Sequence, residues 1–279
     1  MRRCLISLLA LGALAAVSCN ADLSPGATVL QAAEETRAEK SARVSYKALF
    51  DVDSAPEPVE LSGVGLFDYS HKRGRMIFDM AGVLAPSASS DVPGEVEMIV
   101  DGPLLYLQMP FLADVLPESR PWIKVDLEAA ARSNRTDLAQ FTQLGQGDPT
   151  QVLDLLRGVT KDVKRVGRER VRGVPTTEYE TDLDLARVAQ NTPAENQASL
   201  SSLLTRSDSK EMQARVWVDD GGRLRRMRYE LDLAPGSSGP TQVSPTSMSV
   251  TMELFDFGVP VDVTPPAEDH VIDLLGLAE

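Results

Sequence analysis

From residue 42 onward the chain alternates. Val44, Tyr46, Ala48, Phe50 and Val52 fall on one parity, and Arg43, Ser45, Lys47 and Asp51 on the other. A period of two marks a strand with one buried face. The same pattern predicts strands over 42–52, 59–68, 75–80, 95–101, 104–109, 122–127, 160–166, 170–182, 212–219, 223–233 and 248–257. The joints carry turn chemistry: Asp53-Ser54-Ala55-Pro56, His71-Lys72-Arg73-Gly74, Asp101-Gly102-Pro103 and Asp220-Gly221. Helical spacing occurs first at 28–40, where Val29, Leu30, Ala32 and Ala33 cluster on one side. It returns in short blocks at 127–132, 137–144, 149–157, 183–190 and 194–206. Ser/Pro/Gly-rich loops are expected over 84–93 and 236–245, and the tail from Pro265 reads as loop with a short turn near 271–275. Strands in hairpins, helices in blocks and no βαβ alternation predict an α+β chain with an antiparallel sheet and helices on one face.

The N-terminus follows a different pattern. Arg2 and Arg3 precede an apolar run from Leu5 to Val17, too short to span a bilayer, which takes about 20 residues. Small residues and then Cys19 end it. That order reads as a cleavable secretory signal over 1–18. Ala16-Val17-Ser18-Cys19 is similar to a bacterial lipobox, in which the cysteine is diacylated and becomes the new N-terminus; Ala16 departs from the usual Leu. The alternative is an ordinary signal peptide with an incidental cysteine. Cys19 would be followed by a tether to Gly26 and a single domain over 27–279. The other cysteine, Cys4, would leave with the signal, so the mature domain is expected without disulfide or thiol nucleophile. Two acyl chains hold a protein at a membrane where one does so only marginally. The expected location is therefore the extracytoplasmic face of the cell membrane.

Charge narrows the partners. The chain carries a net −13, and loss of Arg2 and Arg3 would make it more acidic still. Nucleic acid is not expected as a partner, because phosphate binding needs clustered cationic charge. Basic residues concentrate at 161–172 and 223–228. Arg168, Arg170 and Arg172 share one parity, as do Arg226 and Arg228. Both sets are expected on the solvent side of the sheet, either as a neutralised surface or as a basic patch for anionic head groups.

Catalytic and metal chemistry is poorly supplied. The two histidines, His71 and His270, lie in a turn and near the C-terminus, and no nucleophile elbow or glycine-rich phosphate loop is present. Asp219-Asp220-Gly221-Gly222 lacks the spacing of a calcium loop. No catalytic residue, metal site or cofactor is expected. Methionine is the distinctive residue. Met98, Met227, Met248 and Met252 fall on the apolar parity of their strands. Methionine adapts to irregular apolar surfaces, so these four are expected to line an apolar cavity; the alternative is a closed core.

Further pieces of sequence carry a resemblance: Cys19, Trp122-Ile123-Lys124-Val125-Asp126, the stretch Val166-Gly167-Arg168-Glu169-Arg170-Val171-Arg172-Gly173-Val174-Pro175-Thr176-Thr177-Glu178-Tyr179, and Val216-Trp217-Val218-Asp219. On these the chain resembles the actinobacterial LppX/LprG-type lipoproteins of LolA-like fold. The resemblance implies a strongly curved, half-barrel antiparallel sheet with helices packed into its concave side. It also implies a non-enzymatic envelope carrier or accessory factor, in some members with a lipid or glycolipid between sheet and helices, and it makes an envelope transporter a possible partner. The alternative is a scaffold or sensor of the same fold with a closed core. The lipobox reading has a direct consequence: Cys19→Ala should move the protein from the membrane pellet to the soluble fraction, as followed by immunoblot after cell fractionation.

Overall fold

Twelve strands form one continuous sheet in a computed structural model of the chain. It describes residues 23–52, 56–84, 94–117, 120–132, 149–159, 162–191, 207, 209–233 and 245–274. The signal segment, Cys19, the helices expected at 137–144 and 194–206, and most of the two expected loops lie outside the described residues. The strands are β1 (Ser41–Val52), β2 (Val59–Asp68), β3 (Arg73–Asp79), β4 (Glu95–Asp101), β5 (Leu104–Gln108), β6 (Trp122–Asp126), β7 (Lys164–Val171), β8 (Val174–Asp184), β9 (Glu211–Asp219), β10 (Leu224–Asp232), β11 (Pro245–Phe255) and β12 (Val271–Asp273). The helices are α1 (Pro25–Ala38), α2 (Ala81–Leu84), α3 (Leu127–Arg132), α4 (Pro149–Leu155) and α5 (Leu185–Asn191).

The spatial order is β12-β6-β5-β4-β3-β2-β1-β11-β10-β9-β8-β7. All neighbours are antiparallel except β12 on β6, which is parallel. The sheet is strongly curved and does not close, an α+β half-barrel. Its alternating apolar residues form one core with Val29, Ala32 and Ala33 of α1, Leu153 of α4, Leu156, and Leu185 and Val188 of α5. The helices therefore cover the concave face, as the sequence predicts.

Curvature has a local cause at β2. Tyr46, Gly63 and Phe78 are cross-strand neighbours on β1, β2 and β3. The rings of Tyr46 and Phe78 meet edge to face at 6.2 Å between centroids, although two strand spacings in a flat sheet would separate them by about 9.5 Å. Gly63 is the space through which Phe78 leans: a Cβ there would lie 2.5 Å from Phe78 Cδ1. Gly74 gives way to the Phe67 ring in the same manner. Two inward-facing glycines thus let aromatic rings fold over the backbone, and the sheet curls around them.

The tail differs from expectation. After β11 the chain crosses the outer face. Ser41 donates to the Val259 carbonyl at 2.6 Å and Arg73 to that of Val263 at 2.8 Å. Val263 and Val271 bury Ile99 and Tyr106 from the outside, and Val271–Asp273 then pairs with β6. Ile99 is apolar on a parity that otherwise reads as solvent-facing because the tail covers it. Two further boundaries also differ. α1 begins at Pro25, inside the expected tether, because Ser24 caps it and proline suits the first helical position. The first arm of the basic hairpin is one strand from Lys164 to Val171, with its turn at Arg172-Gly173, both at positive φ.

Gly63→Ala should therefore destabilise the fold by about 1–3 kcal/mol through overpacking against Phe78. A lowered denaturant midpoint with an unchanged slope is the expected reading.

Candidate functional site

The concave face is built from rows of cross-strand neighbours. One row runs Phe78–Gly63–Tyr46–Met252–Met227–Val216–Tyr179 across β3, β2, β1, β11, β10, β9 and β8. The next row on one side joins Met76 of β3 to Met98 of β4 and Leu107 of β5. The next but one on the other joins Phe50, Met248 and Leu231. All four expected methionines thus share this face, Met227 and Met252 as direct neighbours. Met98, Met227 and Met252 are 2%, 0% and 2% exposed, and Met248 is half-buried.

What covers them is held by polar bonds at one end of the sheet. Thr36 of α1 is fully buried; its hydroxyl donates to the Ala32 carbonyl at 2.6 Å and accepts from the Leu224 amide at 2.8 Å. Beside it, Asp219 accepts from Arg223 Nε at 3.0 Å, from Arg225 Nε at 2.7 Å and from the amides of Gly221 and Arg223. Arg223 continues to Glu39 just past α1, at 3.0 Å. Arg225 also lies 4.6 Å from the Phe257 ring centre. Burial pushes the Asp219 carboxyl up, but the Arg223 amide and the Arg225 guanidinium outweigh it and leave its pKa lowered. A second buried carboxylate, Asp154 of α4, binds Arg37 of α1 at 2.6 Å and Arg157 at 3.0 Å. These two clusters fasten α1 to the β9–β10 turn and to α4. Next to the second lies a pocket of about 270 Å³ lined by Leu30, Ala33, Arg37, Leu156 and Arg157 among others.

The expected basic surface needs correction. An extra residue at Val166 shifts the β7–β8 register, as a bulge does. On the turn side of that bulge the pairing is regular, with Val171 opposite Val174 on the outer face, so Arg168 and Arg170 sit opposite Thr177 and Pro175, on the parity of the concave face, at the exposed sheet edge. Arg172 lies in the turn and not in the strand. Arg226 and Arg228 are on the outer face, so the two sets do not form one stripe. The outer set is neutralised: Arg226 pairs with Glu253 at 2.8 Å and Glu169 at 3.1 Å, Arg228 with Glu230 at 2.8 Å, and Arg172 with Glu253 at 2.7 Å. The end of the β7–β8 hairpin turns back over the outer face, where Glu169 also accepts from Trp217 Nε1 at 2.9 Å and Arg172 stacks 3.9 Å from the Phe255 ring centre. Among the described residues no group of three or more His, Cys, Asp or Glu is arranged to hold a metal, and no helix is long and apolar enough to cross a membrane.

No family model matches the chain. A relative from Streptomyces griseus, described as an uncharacterized 31.2 kDa protein in the rplA–rplJ intergenic region, is 29% identical over 115 residues. The match covers 40% of this chain and 34% of that protein, so the chain spans about a third of its relative's length. Among solved structures, Mycobacterium tuberculosis lipoprotein LppX is similar over 86% of this chain and 98% of its own, at 18% identity and a TM-score of 0.49. LprF from Mycobacterium bovis is similar over 87% and 97%, at 14% identity and a TM-score of 0.47. A LolA superfamily protein from Nitrosomonas europaea covers 84% and 95%, at 12% identity and a TM-score of 0.35.

Asp219→Asn should cost about 3 kcal/mol, because it leaves the Arg225 guanidinium without its buried counter-charge, while Arg223 keeps Glu39. The folded pKa of Asp219 lies below the ordinary 3.8. Its contribution is therefore complete above that value and lost as pH falls below it, and an acid-unfolding series should show a shallower acid limb in the variant.

Proposed function

We propose that this chain is a cell-envelope lipoprotein, anchored through Cys19, that binds a lipid or other amphiphile between its sheet and helices as a carrier or transport accessory. The observation that carries the proposal is the concave face itself. It is wide, apolar, rich in methionine and roofed by short helices instead of a second sheet. A curved sheet cannot fill its own concavity, so helices or a ligand must complete the core. α4 and α5 are seven residues each, and elements this short separate from a core at lower cost than the sheet does. Met98, Met227, Met248 and Met252 would line the space opened beneath them, and the same methionines can repack when the space closes. An envelope transporter would be the natural donor or acceptor of the bound lipid.

A second reading is favoured by one observation. The near-complete burial of Met98, Met227 and Met252 also suits a scaffold or sensor whose core stays closed. Organic extraction of the purified full chain, followed by mass spectrometry, separates the two. A carrier should release lipid in amounts comparable to the protein, whereas extracts free of lipid would leave the scaffold reading in place.

A further inference from the structure

One extra residue puts three arginines on the same side of the sheet edge. β7 is the last strand in the spatial order, and among the described residues no strand pairs with its outer edge. Before the bulge at Val166, Arg165 sits opposite Tyr179; beyond it, Arg168 and Arg170 sit opposite Thr177 and Pro175. All three partners are on the concave parity. The bulge thus lines up Arg165 with Arg168 and Arg170, which an unbroken alternation would place on opposite faces, within about 15 Å of strand. Lys164, Arg165, Arg168 and Arg170 are all exposed, and Val166 among them is 48% exposed. Their charge is not neutralised by the protein. Among the described residues Lys164, Arg165 and Arg168 make no ion pair, and Arg170 donates to the Gly173 carbonyl at 2.5 Å. The neighbouring carboxylates are engaged elsewhere: Glu178 and Glu180 pair with Arg215 at 3.4 and 3.2 Å, and Glu169 with Arg226 at 3.1 Å. On the outer face the matching is close, as in Arg43 with Asp256 at 3.3 Å and Arg75 with Glu97 at 2.7 Å. A chain of net charge −13 therefore carries an uncompensated basic border.

We propose that this border docks the domain on a bilayer containing anionic phospholipid, with Arg165, Arg168 and Arg170 holding phosphodiester groups. Guanidinium groups bind phosphate oxygens in pairs and stay charged at any physiological pH. An anionic leaflet attracts cations that come within a Debye length of it. A free edge has one other natural occupant, an acidic partner strand. The bulge argues against it, because it breaks the ladder that such a strand would need, and proteins use bulges and edge charges to keep strands from pairing there. A membrane requires only exposed charge, and Val166 offers it an apolar side chain among the cations. The hairpin end bends over the outer face through Glu169 and Arg172, which leaves the side bearing Arg168 and Arg170 open to solvent. The proposal needs no lipid bound in the concavity. It sets the orientation in which a domain tethered at Cys19 would lie.

The test uses the full-length chain with Cys19→Ser, which cannot be acylated, in flotation with two kinds of vesicle. One is phosphatidylcholine alone; in the other about one third of the lipid is phosphatidylglycerol. The anionic vesicles should bind the protein more tightly, and the difference should fade between about 0.05 and about 0.5 M salt. Replacing Arg165, Arg168 and Arg170 together by Gln should weaken that binding roughly 100-fold, about 5-fold for each residue. A comparison variant carries Arg43→Gln, Lys47→Gln and Arg75→Gln, the same loss of charge at exposed pairs of the outer face, and should lose less than about 3-fold. The signal segment is common to all these proteins and cancels. Arg168→Gln alone, with no ion pair to lose, should still show the loss of about 5-fold if the triple variant melts early. Three results would overturn the inference. The first is equal binding to both vesicles. The second is a loss in the comparison variant as large as in the edge variant, which reduces the effect to net charge. The third is an edge variant that keeps its vesicle binding and self-associates on gel filtration, which makes the arginines guards of the strand edge. The anchor at Cys19 is decided separately, by the fractionation of Cys19→Ala.

Discussion

A single sheet that curls without closing leaves its inner face to be covered by something other than sheet. Much of this molecule answers that constraint. Inward glycines on β2 and β3 let Phe78 and Phe67 lie over the backbone and tighten the curl. α1 lies against the concave side and is fixed there by Thr36, whose hydroxyl bonds its own helix and the Leu224 amide at once. The remaining cover is supplied by short helices. The outer face is protected differently, by the chain's own tail over β4 and β5 and by the turned-back β7–β8 hairpin over Trp217.

Charge follows the same division. The chain is acidic overall, yet its arginines gather where polar fastening is needed. At the end of the concave face, Arg223 and Arg225 share buried Asp219, and desolvation there is offset by several hydrogen bonds to one carboxylate. On the outer face, Arg172 and Arg226 share Glu253 in an exposed network, where each pair is worth little alone. Similar residues thus do different work according to how much water surrounds them.

The sequence was most legible where one face is dry and the other wet. Strand β2 has the predicted bounds, and the parity of Met227, Met248 and Met252 follows directly from alternation. It failed where that contrast is missing. β7 is exposed on both sides for nearly its whole length, so no period marks it, and its one buried residue, Val171, faces outward with Val174, which puts Arg168 and Arg170 on the opposite parity. β12 is three residues long and exists only because β6 offers an edge.

The strand order has a consequence for how the chain acquires its shape. Arg43 near the start of β1 pairs with Phe255 near the end of β11, and Trp122 pairs with Val271. The centre of the sheet is thus a pairing between the first strand made and nearly the last, and one edge is sealed only by the final described strand. Contacts so distant along the chain require costly loop closure and form slowly. A growing chain cannot complete this sheet before almost all of it has been synthesised.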